Sequence, residues 1–131
     1  MHLLHRARQC AEEIFQREMT TEVTPRQLAA LMTVADHEGG NQAGLVEATG
    51  MDRSTLAEIV GRLVKRKLLL RRRARDDVRS YTIRLTGEGR RVLRTAEPLS
   101  NRVDQRILDA LPTGRREQFL ASLSTISRRS G

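Results

Sequence analysis

The stretch "RRRARDDVRSYTIRL", residues 71–85, sets four arginines ahead of two aspartates and two more arginines behind them. A guanidinium stays charged and presents a planar fork of donors, so the chemistry on offer is anion binding, to phosphate or carboxylate. Residues 51–94 hold 14 Lys/Arg against five Asp/Glu and carry +9, whereas the rest of the chain carries −1 of the overall +8. Positive charge confined to a third of a chain makes a focused field that draws polyanions, nucleic acid first and an anionic membrane surface second. A membrane-surface role calls for a basic amphipathic helix with bulky aromatics. With two Phe, one Tyr and no Trp, this chain lacks one.

Other reactive side chains are sparse. Cys10 is the only cysteine, which excludes an intramolecular disulfide and fits a reducing cytoplasm. It occupies an apolar-leaning position, with no tyrosine neighbours to support a thiolate and no second cysteine to resolve a sulfenate. It therefore reads as a buried packing residue rather than an oxidant sensor. His2, His5 and His37 are scattered and read as surface or interface residues, not as metal ligands. No histidine pairs with an acid at useful spacing and no Gly-rich phosphate loop occurs, so no catalytic residue, metal or cofactor is expected and an enzyme is disfavoured.

The elements that must position the arginines follow from periodicity. A chain of 131 residues suits one domain or two small lobes sharing a core, here built mostly from Leu, Val, Ile, Ala and Met. No apolar run approaches the length of a membrane span and the N-terminus lacks a signal-peptide pattern, so a soluble cytoplasmic protein is expected. Leu3, Leu4, Ala7, Ala11, Ile14 and Phe15 set a helical rhythm in the first segment. In "TEVTPRQLAALMTVADHEGG", Thr24 is a cap, Pro25 suits the first turn, Gly39-Gly40 stops the helix, and Leu28, Leu31, Met32 and Ala35 form the expected buried stripe. Asn41 starts a short helix carrying Leu45, Val46 and Ala48, which Gly50 breaks. Asp52 then caps a longer helix in which Leu56, Ile59, Val60, Leu63 and Val64 recur at i, i+3, i+4, i+7 and i+8. Ser54, Glu58, Gly61, Arg62 and Lys65 lie on its opposite face. Short helix, glycine turn and amphipathic helix make a helix-turn-helix.

Beyond Lys67 the period changes to two: Tyr81, Ile83 and Leu85 alternate with Thr82 and Arg84, and their partner strand is Leu68 to Arg73. "ARDDVRS" connects the two, so a polar-tipped hairpin follows the helix-turn-helix, which is a winged helix. Thr86 caps a long helix with apolar positions Val92, Ala96, Leu99, Val103, Ile107 and Ala110, bent but not ended by Pro98. Pro112 opens a last helix with Phe119, Leu120, Leu123 and Ile126. The predicted fold class is mainly α with a small β-hairpin wing: a winged helix-turn-helix lobe over 23–86 and a helical dimerisation lobe over 1–22 and 87–131, intertwined as one domain. Leu99, Val103, Ile107, Phe119 and Leu123 are the expected dimerisation residues.

Over nearly its whole length the chain resembles the MarR family of transcriptional regulators. The resemblance is carried by "VTPRQLAAL", by "TGMDRSTLAEIVGRLVKRKLLLRRR" and by the wing phrase "DVRSYTIRLTGEG", which matches the family pattern D-x-R-x5-L-T at Asp77, Arg79, Leu85 and Thr86. It implies a homodimeric winged helix that binds a palindromic operator in double-stranded DNA, acts as a repressor, and is released when a small molecule or oxidant is sensed. The family's pocket lies between the two lobes, where His5, Arg6 or Arg8 would meet an anionic effector. Many relatives sense aromatic carboxylates or related thioesters, but no effector-binding residue is assigned here. Two departures stand out. Many relatives have Gly where Lys67 stands, so Lys67 must extend the helix or take a strained conformation; and relatives often carry Thr-Arg near Ala57-Glu58, so the operator cannot be inherited.

Within that frame Arg53, Ser54 and Thr55 approach base edges in the major groove, unless the two hydroxyls serve only to start the helix. Arg62 and Lys65 lie nearer the backbone. Arg72, Arg73 and Arg75 hold phosphates without reading sequence, and Arg79 enters the minor groove, oriented by Asp77. Gly61 either permits close approach or is a glycine tolerated on an exposed face. The alternative reading is an Arg-rich nucleoid or RNA-binding protein without an effector. RNA modules stack bases on sheet aromatics, and only Tyr81 is carried by a strand.

Overall fold

A computed structural model describes residues 1–73, 75 and 81–128. In chain order the elements are α1 (His2–Glu18), α2 (Pro25–Asp36), α3 (Gln42–Thr49), α4 (Arg53–Lys65), β1 (Leu69–Arg73), β2 (Tyr81–Leu85), α5 (Gly87–Leu108), a 3-10 turn (Thr113–Arg115) and α6 (Arg116–Arg128). The chain divides into two compact units, one of residues 21–97 and one of residues 1–20 with 98–131. None of the described helices is long and apolar enough to cross a membrane.

In the unit of residues 21–97, helix boundaries follow local hydrogen bonding. The Thr24 side chain accepts from the Gln27 amide while the Gln27 side chain accepts from the Thr24 amide, a reciprocal capping box with Pro25 in the first turn. Asn41 accepts from the Gly44 amide at 2.8 Å and starts α3, which ends at Gly50 in the left-handed region at φ 70°. Asp52 accepts from the Thr55 amide at 2.7 Å and starts α4. The core gathers Leu28, Leu31 and Val34 from α2, Leu45 from α3, Leu56, Ile59, Val60 and Leu63 from α4, and Leu69, Ile83 and Leu85 from the hairpin. Each such side chain contributes about 1.5–3 kcal/mol through removal from water. Two expected core positions fall short: Met32 is 37% exposed and Ala35 only half-buried, and Ala30 and Val34 fill the stripe instead.

The hairpin is antiparallel, with Leu69 opposite Leu85 and Arg73 opposite Tyr81. Its β2 strand has a second neighbour that periodicity did not reveal. The Gly39 amide donates to the Ile83 carbonyl at 3.2 Å, the Ile83 amide donates to the Gly40 carbonyl at 3.0 Å, and Asn41 bridges Thr82. Three residues too few for a strand pattern thus join the wing to the turn after α2.

At the start of α5, Thr86 works in two directions. Its hydroxyl accepts from the Gly89 amide at 2.9 Å, and it donates to the Lys67 carbonyl at 2.6 Å, so the helix cap also ties α5 to the end of α4. Gly89 is required there: a Cβ would stand 2.1 Å from the Leu68 carbonyl oxygen. α5 runs through Pro98 without ending.

In the other unit, Phe15, Met19 and Val103 are buried. Leu3 and Leu4 of α1 are 79% and 51% exposed and α6 buries nothing, so apart from Phe15 the apolar rhythm of these two helices does not mark intrachain core. Cys10 is also exposed, which corrects its reading as a buried packing residue. An open groove of about 470 Å³ is lined by Leu4, Ala7, Ala11, Ile107, Leu108, Phe119, Leu120 and Leu123, with Arg8 and Asp104 at its edge. Burial beside this apolar surface pushes the Asp104 carboxyl above its ordinary value.

Candidate nucleic-acid interface

α4 separates its two faces cleanly. Leu56, Ile59, Val60 and Leu63 are buried, while Arg53, Ser54, Glu58, Arg62 and Lys65 are exposed on the other side and Thr55 is half-buried. The first turn is stiffened by Asp52, whose carboxylate takes the Thr55 amide and the Ser54 hydroxyl at 3.0 Å. These bonds, the Thr55 amide foremost, hold Asp52 below its ordinary carboxyl value, with a smaller contribution from the charge of Arg26. Ser54 thus has helix-start chemistry in the free chain, and Arg53 between them makes no ion pair among the described residues.

Further along the exposed face, Arg62 and Glu58 pair at 2.8 Å, both largely exposed. A pair this open contributes at most about 1 kcal/mol and can exchange for a phosphate with little loss. Gly61 is half-buried but has open space where a side chain would stand, so no packing among the described residues requires a glycine there. Lys65 is exposed, and Arg66 donates to the Gln27 side chain at 3.3 Å, linking the end of α4 to the cap of α2.

Lys67 takes the strained alternative. It does not extend the helix; it adopts φ 62°, the only positive φ at a non-glycine among the described residues. That left-handed residue turns the chain from α4 into β1, and the Leu68 carbonyl just after it receives the Thr86 amide at 3.1 Å and the Thr86 hydroxyl at 3.1 Å.

β1 then presents Arg71, Arg72 and Arg73, all exposed, followed by exposed Arg75. None of these four makes an ion pair among the described residues. Arg79 and Asp77, the expected minor-groove residue and its orienting acid, lie outside the described residues. Two features escaped sequence reasoning. The guanidinium carbons of Arg71 and Arg73 each lie 5.9 Å from the centre of the Tyr81 ring. Glu38, after α2, accepts from Arg90 of α5 and from the Leu85 amide at 3.4 Å, bracing the strand end against the helix. The parity of β1 was legible, but the partner of each arginine depends on hairpin register. Among the described residues no cluster of His, Cys, Asp and Glu forms a metal-ligand set.

A buried apolar seam, an exposed polar helix face and an arginine-bearing hairpin in one unit are what a duplex reader requires: a helix for the major groove and a ribbon for the backbone and minor groove. Residues 21–80 match the profile of the MarR family. The chain is 34% identical over 99 residues to the transcriptional regulator HosA of Escherichia coli, covering 76% of this chain and 73% of that one. It is similar in structure to the PcaV transcriptional regulator of Streptomyces coelicolor solved with its natural ligand, with TM-score 0.93, 32% identity, and coverage of 99% of this chain and 92% of that one. It is also similar to BpsR of Bordetella bronchiseptica, whose DNA binding is regulated by 6-hydroxynicotinic acid, with TM-score 0.87, 28% identity and 96% of both chains covered.

Proposed function

The chain belongs to the MarR family, and on that premise we propose that it is a repressor that binds a palindromic operator as a homodimer and is released by a small aromatic acid. Its relatives are transcriptional regulators, not enzymes. The observation that carries the DNA-binding part is the division of α4, with four apolar residues buried and Arg53, Arg62 and Lys65 left exposed beside a hairpin of exposed arginines. Arg53 with Ser54 and Thr55 reads base edges; Arg62, Lys65, Arg72, Arg73 and Arg75 hold phosphates; Arg79, oriented by Asp77, enters the minor groove. Two copies in C2 symmetry put two such helices on successive turns of the duplex.

The exposed apolar groove of the unit formed by residues 1–20 and 98–131 supports the dimer. Leu120, Leu123 and Ile126 are 50%, 36% and 55% exposed in the single chain, alongside Leu3 and Leu4. An apolar groove with exposed apolar side chains marks an interface; Leu99, Ile107, Phe119 and Leu123 belong to it in this reading, whereas Val103, also expected there, is buried within the chain. The effector class rests on BpsR, whose regulator is an aromatic carboxylate. Such a ligand releases DNA by favouring a dimer in which the recognition helices are wrongly spaced. The site of action is cytoplasmic, on nucleoid DNA.

The test is selection of bound fragments from genomic DNA, followed by gel shift with the enriched fragment. The reading expects a palindrome, one dimer bound, competition by duplex DNA far stronger than by RNA, and release by a member of a panel of aromatic carboxylates. Arg79→Ala should weaken binding several-fold in a dimer that still folds. Equal competition by RNA, or no enriched sequence, would instead favour the nucleoid or RNA-binding alternative.

A further inference from the structure

The hairpin arginines are not equivalent. Arg73 stands opposite Tyr81 and Arg71 opposite Ile83, so strand alternation puts Arg71, Arg73 and Tyr81 on one face of the ribbon and Arg72 on the other. On the first face both guanidinium carbons lie 5.9 Å from the Tyr81 ring centre. Neither cation makes an ion pair among the described residues. Two like charges gathered on one ring repel each other in the free chain, and an anion laid against them relieves that repulsion while the electron-rich ring keeps them in place. The cluster is open: Tyr81 is 40% exposed and the arginines are exposed. A small acid needs enclosure to bind well, whereas a polymeric anion can lie along an open ribbon and supply a charge to each arginine.

We propose that Tyr81 is a positioning residue for duplex recognition, holding Arg71 and Arg73 against the phosphates of one DNA strand while Arg72, on the opposite face, is left to the other strand. This rests on the DNA-binding reading above and adds Arg71 and Tyr81 to it. A hairpin entering a minor groove about 6 Å wide meets a backbone on each side, so arginines on both faces use both walls. Phosphate contacts are independent of sequence, and their number sets the slope of affinity against salt.

The experiment measures binding of the full-length protein to a mixed-sequence DNA duplex across a salt series, with the melting temperature of each variant. Arg71→Ala should weaken binding about three- to tenfold and lower the magnitude of the salt slope by about one per site. Tyr81→Phe, which keeps the ring, should bind like the wild type. Tyr81→Leu, which keeps apolar bulk without the ring, should weaken binding with an unchanged melting temperature, and adding Arg71→Ala to it should cost less than in the wild type. Tyr81 is the only tyrosine and there is no tryptophan, so tyrosine emission reports this cluster alone and should change as duplex is added. The proposal is overturned if Tyr81→Leu or Arg71→Ala keeps wild-type affinity and slope, or if Tyr81→Leu loses affinity only in step with stability. A wild-type protein that prefers RNA, or binds duplex without salt dependence, overturns the parent reading as well.

Discussion

The two glycines of "GEG" should respond very differently to the same substitution. At Gly89 an added Cβ stands 2.1 Å from the Leu68 carbonyl oxygen, 3.0 Å from its carbon and 3.2 Å from the Leu85 side chain. The obstacle is backbone, so no rotamer relieves it; α5 and the hairpin must move apart. The Leu68 oxygen takes the Thr86 amide and hydroxyl, and the Thr86 hydroxyl takes the Gly89 amide, so separation strains that whole junction. Overpacking costs about 1–3 kcal/mol and each weakened hydrogen bond about 1 kcal/mol, against at most about 1 kcal/mol regained from alanine's helix propensity. Gly89→Ala should therefore lose about 2–4 kcal/mol, a fall in Tm on the order of 10 °C. At Gly87 nothing lies within 4 Å, and Gly87→Ala should be neutral or slightly stabilising. Urea unfolding at matched protein concentration, with duplex affinity measured alongside, reads both. A Gly89→Ala protein as stable as wild type would refute the close approach of α5 to Leu68 and the rigid seat it gives the hairpin.

Lys67→Gly should raise stability by roughly 0.5–1 kcal/mol, because about 1–2 kcal/mol of left-handed strain is removed and part of it is offset by glycine's greater freedom in the unfolded chain; a drop in the urea midpoint would contradict the φ of 62°. Asp52 titrates below its ordinary value of 3.8 because the folded chain hydrogen-bonds its carboxylate, so its contribution is complete above that pH and is lost as pH falls through the lower folded value. Asp52→Asn should flatten the acid limb of the stability curve, and an unchanged limb argues against the cap. Asp104 has the opposite sign: burial raises its pKa, so the wild type loses stability as pH rises through the range from 3.8 to the raised value. Asp104→Asn should raise Tm at neutral pH, with the gain disappearing in acid; a lower Tm at neutral pH would mean that the carboxylate has a stabilising partner.

Most helix boundaries were legible because they are local. Thr24, Asn41, Asp52 and Thr86 each bond an amide three residues on, and Gly50 meets a left-handed turn that glycine adopts without strain. The hairpin's existence and the buried face of α4 were equally written in the period of apolar residues. That period misled at Met32 and Cys10. A hydrophobic rhythm says that a face will be covered somewhere, not that the same chain covers it.

The sequence by itself therefore determined the order of elements, the seam of α4 and the confinement of charge to one segment, since each depends on residues a few positions apart. Tertiary structure decided what depends on residues brought together from afar. It chose the left-handed Lys67 over a longer helix, set Gly89 against the Leu68 carbonyl, joined Gly39–Asn41 to β2, and divided the hairpin arginines between two faces around Tyr81. Register and close packing are collective properties, fixed only when several elements satisfy their backbone groups and fill space at once.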